Sequence, residues 1–115
     1  MAYDEELAER IRAVVAREKG LSEKRMFGGL AFLINGNMAV SASGRGGLML
    51  RCDPAATDAL VEQSNVERMV MRGREMDGWL RVDTAAVEAD AELRRWVSVG
   101  VDYAKSLPAK HAVAS

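Results

Sequence analysis

The sequence has few of the residues that most often carry out chemistry in small proteins, with one cysteine and one histidine among 115 residues. A lone thiol, Cys52, cannot form a disulfide within the chain, which agrees with a reducing compartment. One cysteine and one histidine are also too few for a zinc or iron–sulfur site built by one chain. We therefore expect no metal and no cofactor.

Long apolar runs and a strong charge of either sign are absent as well. No run approaches the roughly 18 apolar residues that span a bilayer, and the first residues are acidic where a signal peptide is basic. We expect a cytoplasmic protein with no membrane partner. The net charge of -1 argues against a dedicated nucleic-acid binder. Residues 24–81 nevertheless hold eight basic and six acidic side chains, a local excess of +2.

Hydrophobic spacing and turn residues predict the elements. Residues 4–19 have helical spacing and stop at Gly20. The pair Asn35-Gly36 predicts a hairpin with a type I′ turn, because both central residues of that turn need positive φ. The hairpin arms are predicted at residues 25–34 and 38–42, with Gly28-Gly29 as a bulge or a close backbone approach within the first arm. The later predictions are a strand at 48–52, a helix at 54–63, two strands at 67–72 and 78–82, and a helix at 90–107. The strands at 67–72 and 78–82 are linked by a turn or bulge around Gly73 and by Asp77-Gly78.

The predicted order of elements is α-β-β-β-α-β-β-α. This order predicts an α+β fold of two layers, with a mostly antiparallel five-stranded sheet and helices on one face. We expect one domain over residues 1–107 and a flexible tail over 108–115. Because two layers leave one sheet face uncovered, we also expect a homodimer.

Candidate catalytic residues are few, and each has a simpler interpretation. His111 is in the predicted tail, where nothing would hold a general base. Cys52 precedes Asp53, whose charge raises a thiol pKa, so a buried structural cysteine is favoured over a nucleophile. Gly44-Arg45-Gly46-Gly47 could present amides to a phosphate, but a strand follows it where phosphate motifs need a helix. We therefore predict a flexible hairpin loop there and no catalytic residue.

A candidate interaction surface lies on the second predicted hairpin. It consists of Arg68, Arg72, Arg74, Trp79 and Arg81. These arginines could contact nucleic acid, or they could form ion pairs across the strands with Glu67, Glu75 and Asp77. Methionines in or beside the strands either fill the core or form an adaptable binding surface. They are Met26, Met38, Met49, Met69, Met71 and Met76.

Several of these segments together resemble the TfoX (Sxy) N-terminal domain family. The resemblance is carried by Arg25, Met26, Phe27, Gly28, Gly29, Gly36 and Trp79. It implies the same α+β fold and a bacterial co-activator of transcription in natural competence, acting beside the cyclic-AMP receptor protein. Many relatives have a separate C-terminal helical domain, whereas the resemblance here covers nearly the whole sequence. We therefore expect a stand-alone N-terminal module. The family implies no catalytic residues.

Three functions follow as hypotheses from these observations. The first is a non-enzymatic regulatory or adaptor protein that binds a protein partner, such as a component of the transcription machinery. The second is direct nucleic-acid binding through the hairpin at residues 68–81, which we do not favour. The third is a small enzyme that uses Cys52 or the glycine loop.

Overall fold

A computed structural model describes residues 3–26 and 28–109. Within them the chain forms three α-helices, six strands and two short 3-10 helices. The helices are α1 (Glu5–Val15), α2 (Thr57–Leu60) and α3 (Asp90–Ser106), and the 3-10 helices are Pro54–Ala56 and Thr84–Val87. The strands are β1 (Leu21–Met26), β2 (Gly29–Ile34), β3 (Asn37–Ala42), β4 (Leu48–Arg51), β5 (Val66–Met71) and β6 (Arg74–Val82).

The strands form one open antiparallel sheet in the order β1-β2-β3-β4-β6-β5. The β5–β6 hairpin joins the sheet through β6, so β5 lies at one edge and β1 at the other. The predicted α+β class and the order of elements are confirmed, but the sheet has six strands rather than five.

The additional strand comes from the segment that we predicted as one hairpin arm. Residues 25–34 are not continuous, because β1 folds back on β2 and Met26 pairs with Gly29. Gly28 lies between the two strands with φ +76°, a turn position rather than a bulge within a strand. The four central residues of β1 are exposed at the sheet edge, so they lack the apolar alternation that reveals a half-buried strand.

The β5–β6 hairpin differs from its prediction in part. The turn predicted around Gly73 is confirmed at Arg72-Gly73, where φ is +53° and +78°. Asp77-Gly78 is inside β6 rather than between strands. Arg68 pairs with Leu80 while the next residue, Met69, pairs with Met76, so residues 77–79 bulge out of the ladder. The glycine therefore marks a bulge, where we had predicted a connection.

The main core lies between the helices and one face of the sheet. Leu7, Ile11 and Val15 of α1, together with Leu93, Trp96 and Val97 of α3, pack with apolar side chains of β2, β3, β4 and β6. Trp96 is the largest fully buried side chain, with 1% of its surface exposed.

The predicted hairpin turn between β2 and β3 is confirmed, with φ of +53° at Asn35 and +83° at Gly36.

The opposite face of the sheet, called the second face below, has a smaller apolar cluster. Ala31, Met38 and Met49 are buried in it. Met26, Leu33, Met69 and Trp79 pack around them and are partly buried. Every one of these residues belongs to a strand, and no side chain of α1, α2 or α3 within the described ranges joins them. The helices thus cover one face, and a methionine-rich face remains.

The predicted tail is described only as far as Ala109. Pro108 and Ala109 are exposed, and the Asn37 side-chain amide donates a hydrogen bond to the Pro108 carbonyl at 2.9 Å. His111 lies outside the described residues, so the division at residue 107 stays a prediction.

Candidate interaction surface

A row of side chains crosses the second face from β2 to β5. Ala31 is opposite Ser41, Ser41 is opposite Met49, and Met49 is opposite Arg81, which in turn is opposite Glu67. Neighbours in such a row are close enough to contact each other. Arg81 is half-buried between a methionine and a glutamate. A positive charge therefore lies between an apolar and an acidic side chain, on the strand next to the sheet edge.

A cavity of about 410 Å³ opens beside this row, and we call it the arginine groove. Strands β3, β4, β5 and β6 form its walls together with the loop between β3 and β4. Its lining residues are Ser41, Ser43, Arg45, Met49, Glu67, Arg68, Met69, Val70, Met71, Arg72 and Arg81. Four arginines and one glutamate give this lining a formal charge of 4 - 1 = +3.

One of the four arginines is already paired within the protein. Arg68 donates from Nε to Asp77 Oδ1 at 2.9 Å, and its Nη2 also binds Asp58 Oδ1. The hydrogen bond to Asp77 is the main reason that the pKa of Arg68 is raised. Because Asp77 is on the neighbouring strand, the cross-strand ion pair predicted as the alternative to nucleic-acid contact is present for Arg68. Arg68 joins β5 to β6 and to α2.

The other three groove arginines, Arg45, Arg72 and Arg81, have no ion pair with any residue in the described ranges. Arg45 is in the β3–β4 loop, Arg72 is in the β5–β6 turn, and Arg81 is on β6. The groove therefore presents three free positive charges from three separate segments of the chain.

The remaining predicted surface residues lie outside the groove. Arg74 is exposed at the start of β6 and does not line the cavity. Trp79 belongs to the second face, but the Arg51 guanidinium lies 4.9 Å from its ring centre and 5.4 Å from that of Tyr103. This stacking is a cation–π contact that uses one side of the indole. Sequence reasoning included neither Arg45 nor Arg51 in the surface, since only strand pairing places them there.

In the described part of the chain, the large apolar side chains that are exposed lie on the edge strand β5. Val70 is 56% exposed and Met71 is 39% exposed, and both line the groove. The opposite edge, β1, carries Glu23, Lys24 and Arg25 in its exposed centre. Charges of this kind protect an edge from pairing with another chain. The β5 edge has less of this protection.

Cys52 is buried and free, as predicted. Its Sγ is 3.8 Å from Thr57 Oγ1. Burial is the main reason that the pKa of the thiol is raised, and the negative charges of Asp53 and Asp77 raise it further, whereas the Thr57 contact acts the other way. A thiol whose pKa is raised and which water does not reach is a poor nucleophile.

We predict that Cys52 reacts slowly with thiol reagents. In the native protein near pH 7, labelling by a disulfide reagent should be at least about a hundredfold slower than in denaturant, because reaction requires local opening and ionisation. Absorbance of the released thiolate measures both rates. Equal rates in the two conditions would contradict the buried position and revive the hypothesis of a cysteine enzyme.

The other candidate chemical features have structural explanations. The glycine loop leads directly into β4, and a Cβ on Gly47 would lie 2.4 Å from the Val82 carbonyl oxygen, so this residue is tightly packed. A Cβ on Gly29 would lie 2.2 Å from the Ala42 carbonyl oxygen. Within residues 3–26 and 28–109, no group of three or more acidic, cysteine or histidine side chains could hold a metal ion.

The residues that carry the family resemblance have structural places as well. Gly28 and Gly36 are turn residues with positive φ, and Gly29 allows a close contact between β2 and β3. Met26 packs in the second face, and Arg25 is exposed on β1. Phe27 lies outside the described residues.

Comparison with known proteins gives one match. The model of the TfoX N-terminal domain family matches residues 13–104 of the 115-residue chain. No curated protein and no solved structure is significantly similar. In the described part of the chain, none of the helices combines the length and the apolar character that crossing a membrane requires.

Proposed function

Because the chain belongs to the TfoX N-terminal domain family, we propose that it is a regulatory adaptor that acts by binding another protein through its second face. The family expected from the signature residues is confirmed. The partner that we propose is a component of the bacterial transcription machinery, met in the cytoplasm. The chemistry at the partner interface is recognition rather than catalysis.

The observation that carries this proposal is the composition of the second face. Buried and partly buried methionines lie beside three arginines that form no ion pair with another residue of the described ranges. Methionine side chains adapt their shape to a bound surface, and arginine is enriched where interfaces are strongest. The buried Cys52 thiol, with its raised pKa, further supports binding over cysteine catalysis.

Direct nucleic-acid binding is the second candidate, and the free groove arginines favour it. Arg45, Arg72 and Arg81, with exposed Arg74 nearby in sequence, could contact phosphates. The exposed apolar side chains of Val70 and Met71 on the same hairpin favour a protein partner, because phosphate contacts need polar donors. Self-association also stays a prediction, but two copies that met at the groove would place like charges together.

Affinity capture from the native cells tests the proposal. We expect a transcription protein to be retained by the tagged chain after nuclease treatment, and to be lost from a variant with Arg45→Gln, Arg72→Asn and Arg81→Gln. Asparagine is chosen at position 72 because it tolerates the positive φ there.

A charge-matched control changes exposed arginines away from the groove: Arg17→Gln, Arg25→Gln and Arg94→Gln. It should retain the partner. Partners that disappear with nuclease would favour DNA, and equal retention by both triple variants would overturn the proposed role of the second face.

A further inference from the structure

We propose that the arginine groove and the edge of β5 bind an extended acidic segment of a protein partner, which adds to the sheet as a strand beside β5. This inference rests on the proposed function and specifies the class of partner. It follows from two independent features, the less protected edge at β5 and the positive charge of the groove next to it.

The first feature is the backbone of β5. Antiparallel pairing with β6 uses one side of this strand, and the described part of the chain contains no strand on its other side. An edge strand presents unpaired N–H and C=O groups that an extended peptide can bind. Because β1 is protected by charged side chains and β5 ends in Met69-Val70-Met71, the two edges differ in their readiness to accept a strand.

The second feature is the charge of the groove. Arg45, Arg72 and Arg81 lack acidic partners among the described residues, and Glu67 is the only acid in the lining. Successive side chains of a strand point to opposite faces of a sheet. A segment with acidic residues at every second position would therefore direct its carboxylates toward the second face and its other side chains toward the opposite face. Arginine binds carboxylates with two parallel hydrogen bonds when the geometry allows it.

The charge also distinguishes between occupants of this edge. A second copy of the chain at β5 would bring an equally positive groove against this one, which costs free energy. An acidic segment is not repelled by the groove, and its carboxylates are attracted to the groove arginines. Val70, which is 56% exposed and lies one residue from Met69 of the second face, is on the opposite face of β5, where it is matched by the apolar positions of an alternating segment.

Fluorescence anisotropy with synthetic peptides tests the inference. The probe is a labelled ten-residue peptide that alternates glutamate and valine, and the control peptide has lysine in place of glutamate. We expect the glutamate peptide to bind and the lysine peptide not to bind. The triple variant Arg45→Gln, Arg72→Asn and Arg81→Gln should weaken binding at least about tenfold, which corresponds to about 1.4 kcal/mol. The Arg17→Gln, Arg25→Gln and Arg94→Gln control should bind within about threefold of the parent, a difference of about 0.6 kcal/mol.

A second pair of measurements tests the strand geometry. Two glutamate–valine peptides, one N-methylated at the glutamate amides and one at the valine amides, keep their charge. Because alternate amides of a strand point to opposite sides, the peptide whose methylated amides face β5 should lose binding and the other should keep it. Amide exchange of Val70 should slow when the unmodified peptide binds, because Met69 and Met71 already pair with β6 next to the two-residue turn and the Val70 N–H points away from β6. Equal binding of the two methylated peptides, or unchanged exchange of Val70, would overturn strand addition.

The outcomes separate this inference from the proposed function. One outcome is that the triple variant of the groove arginines loses the captured protein while the parent does not bind the glutamate–valine peptide. In that case the inference of an acidic strand is wrong and the proposed function stands. If a 20-base-pair DNA duplex binds more tightly than the peptide and depends on the same arginines, nucleic acid is the ligand and the acidic strand is overturned. Stable dimers that form through β5 would overturn it in favour of a second copy.

Discussion

Replacing Gly100 with alanine is expected to lower the free energy of unfolding by about 2–3 kcal/mol, which is the cost of overpacking a tight contact. In an ordinary helix the same change would stabilise by about 1 kcal/mol, since alanine has the higher helix propensity. The sign is reversed here because α3 crosses β3 at this glycine. A Cβ on Gly100 would lie 2.3 Å from the Ala39 carbonyl oxygen and 3.0 Å from its carbon.

The sheet cannot easily move away from this contact. Phe32 pairs with Val40 and Leu33 pairs with Met38, so Ala39 is an additional residue in a bulge of β3. Ala39 is fully buried, and Gly100 is buried as well. Relief of the clash requires α3 to rise from the sheet and to weaken its packing on both sides of the crossing.

Urea unfolding followed by circular dichroism measures the effect. Ser98→Ala is the matched control, because Ser98 is exposed on the same helix and the substitution should be neutral or stabilising by about 0.5 kcal/mol. A Gly100→Ala protein as stable as the parent would show that the helix does not approach β3 as closely as described.

Replacing Thr57 with valine is expected to lower the free energy of unfolding by about 1–3 kcal/mol. The Thr57 hydroxyl oxygen accepts a hydrogen bond from the backbone N–H of Gly78 at 2.8 Å, and Thr57 is 1% exposed. Valine has nearly the same shape but no acceptor. The Gly78 N–H, which belongs to the bulge of β6, would be left buried without its partner.

Thr57→Ser is the control for this prediction, because serine keeps the acceptor and loses only a methyl group. Urea unfolding should rank the proteins as parent, serine variant and valine variant, with the Gly78 amide exchanging faster in the valine variant. A valine variant more stable than the serine variant would show that the hydroxyl does not hold the bulge.

This second prediction also concerns the proposed interaction surface. The bulge contains Asp77, which binds Arg68, and Trp79, which stacks on Arg51. Thr57 of α2 therefore helps to fix the position of the β6 bulge, whose residues Asp77 and Trp79 contribute to the surface. Loss of this bond should change the surface even where the protein remains folded.

Local signals in the sequence were sufficient for several elements. The Asn35-Gly36 turn was predictable because its positive φ angles favour these residue types. Helix α3 was predictable because Leu93, Trp96, Val97 and Gly100 repeat at helical spacing over a long segment. Burial of Cys52 was also predictable, although burial contributes more to the raised pKa than the neighbouring Asp53.

Other features depended on contacts between distant residues. Strand β1 has no apolar face to reveal it, because it lies at a sheet edge with an exposed centre. The start of β6 at Arg74 could not be predicted, because Asp77-Gly78 has the composition of a turn. In the structure this pair lies in a bulge, where the Gly78 N–H donates a hydrogen bond to the Thr57 hydroxyl. The predicted arginine surface included Arg68, which is paired with two carboxylates, and omitted Arg45, which has no ion pair among the residues that the structure describes.

By itself the sequence determined the fold class, the order of elements and the family, since these depend on local spacing, turn residues and a short signature. Tertiary structure decided which sheet face the helices cover and which arginines share the groove. Arg45 and Arg81 meet there only because β6 pairs with β4 across an intervening segment of the chain. Whether a charge is free depends on the partners that folding brings to it, and those partners come from strands and helices far apart in the sequence.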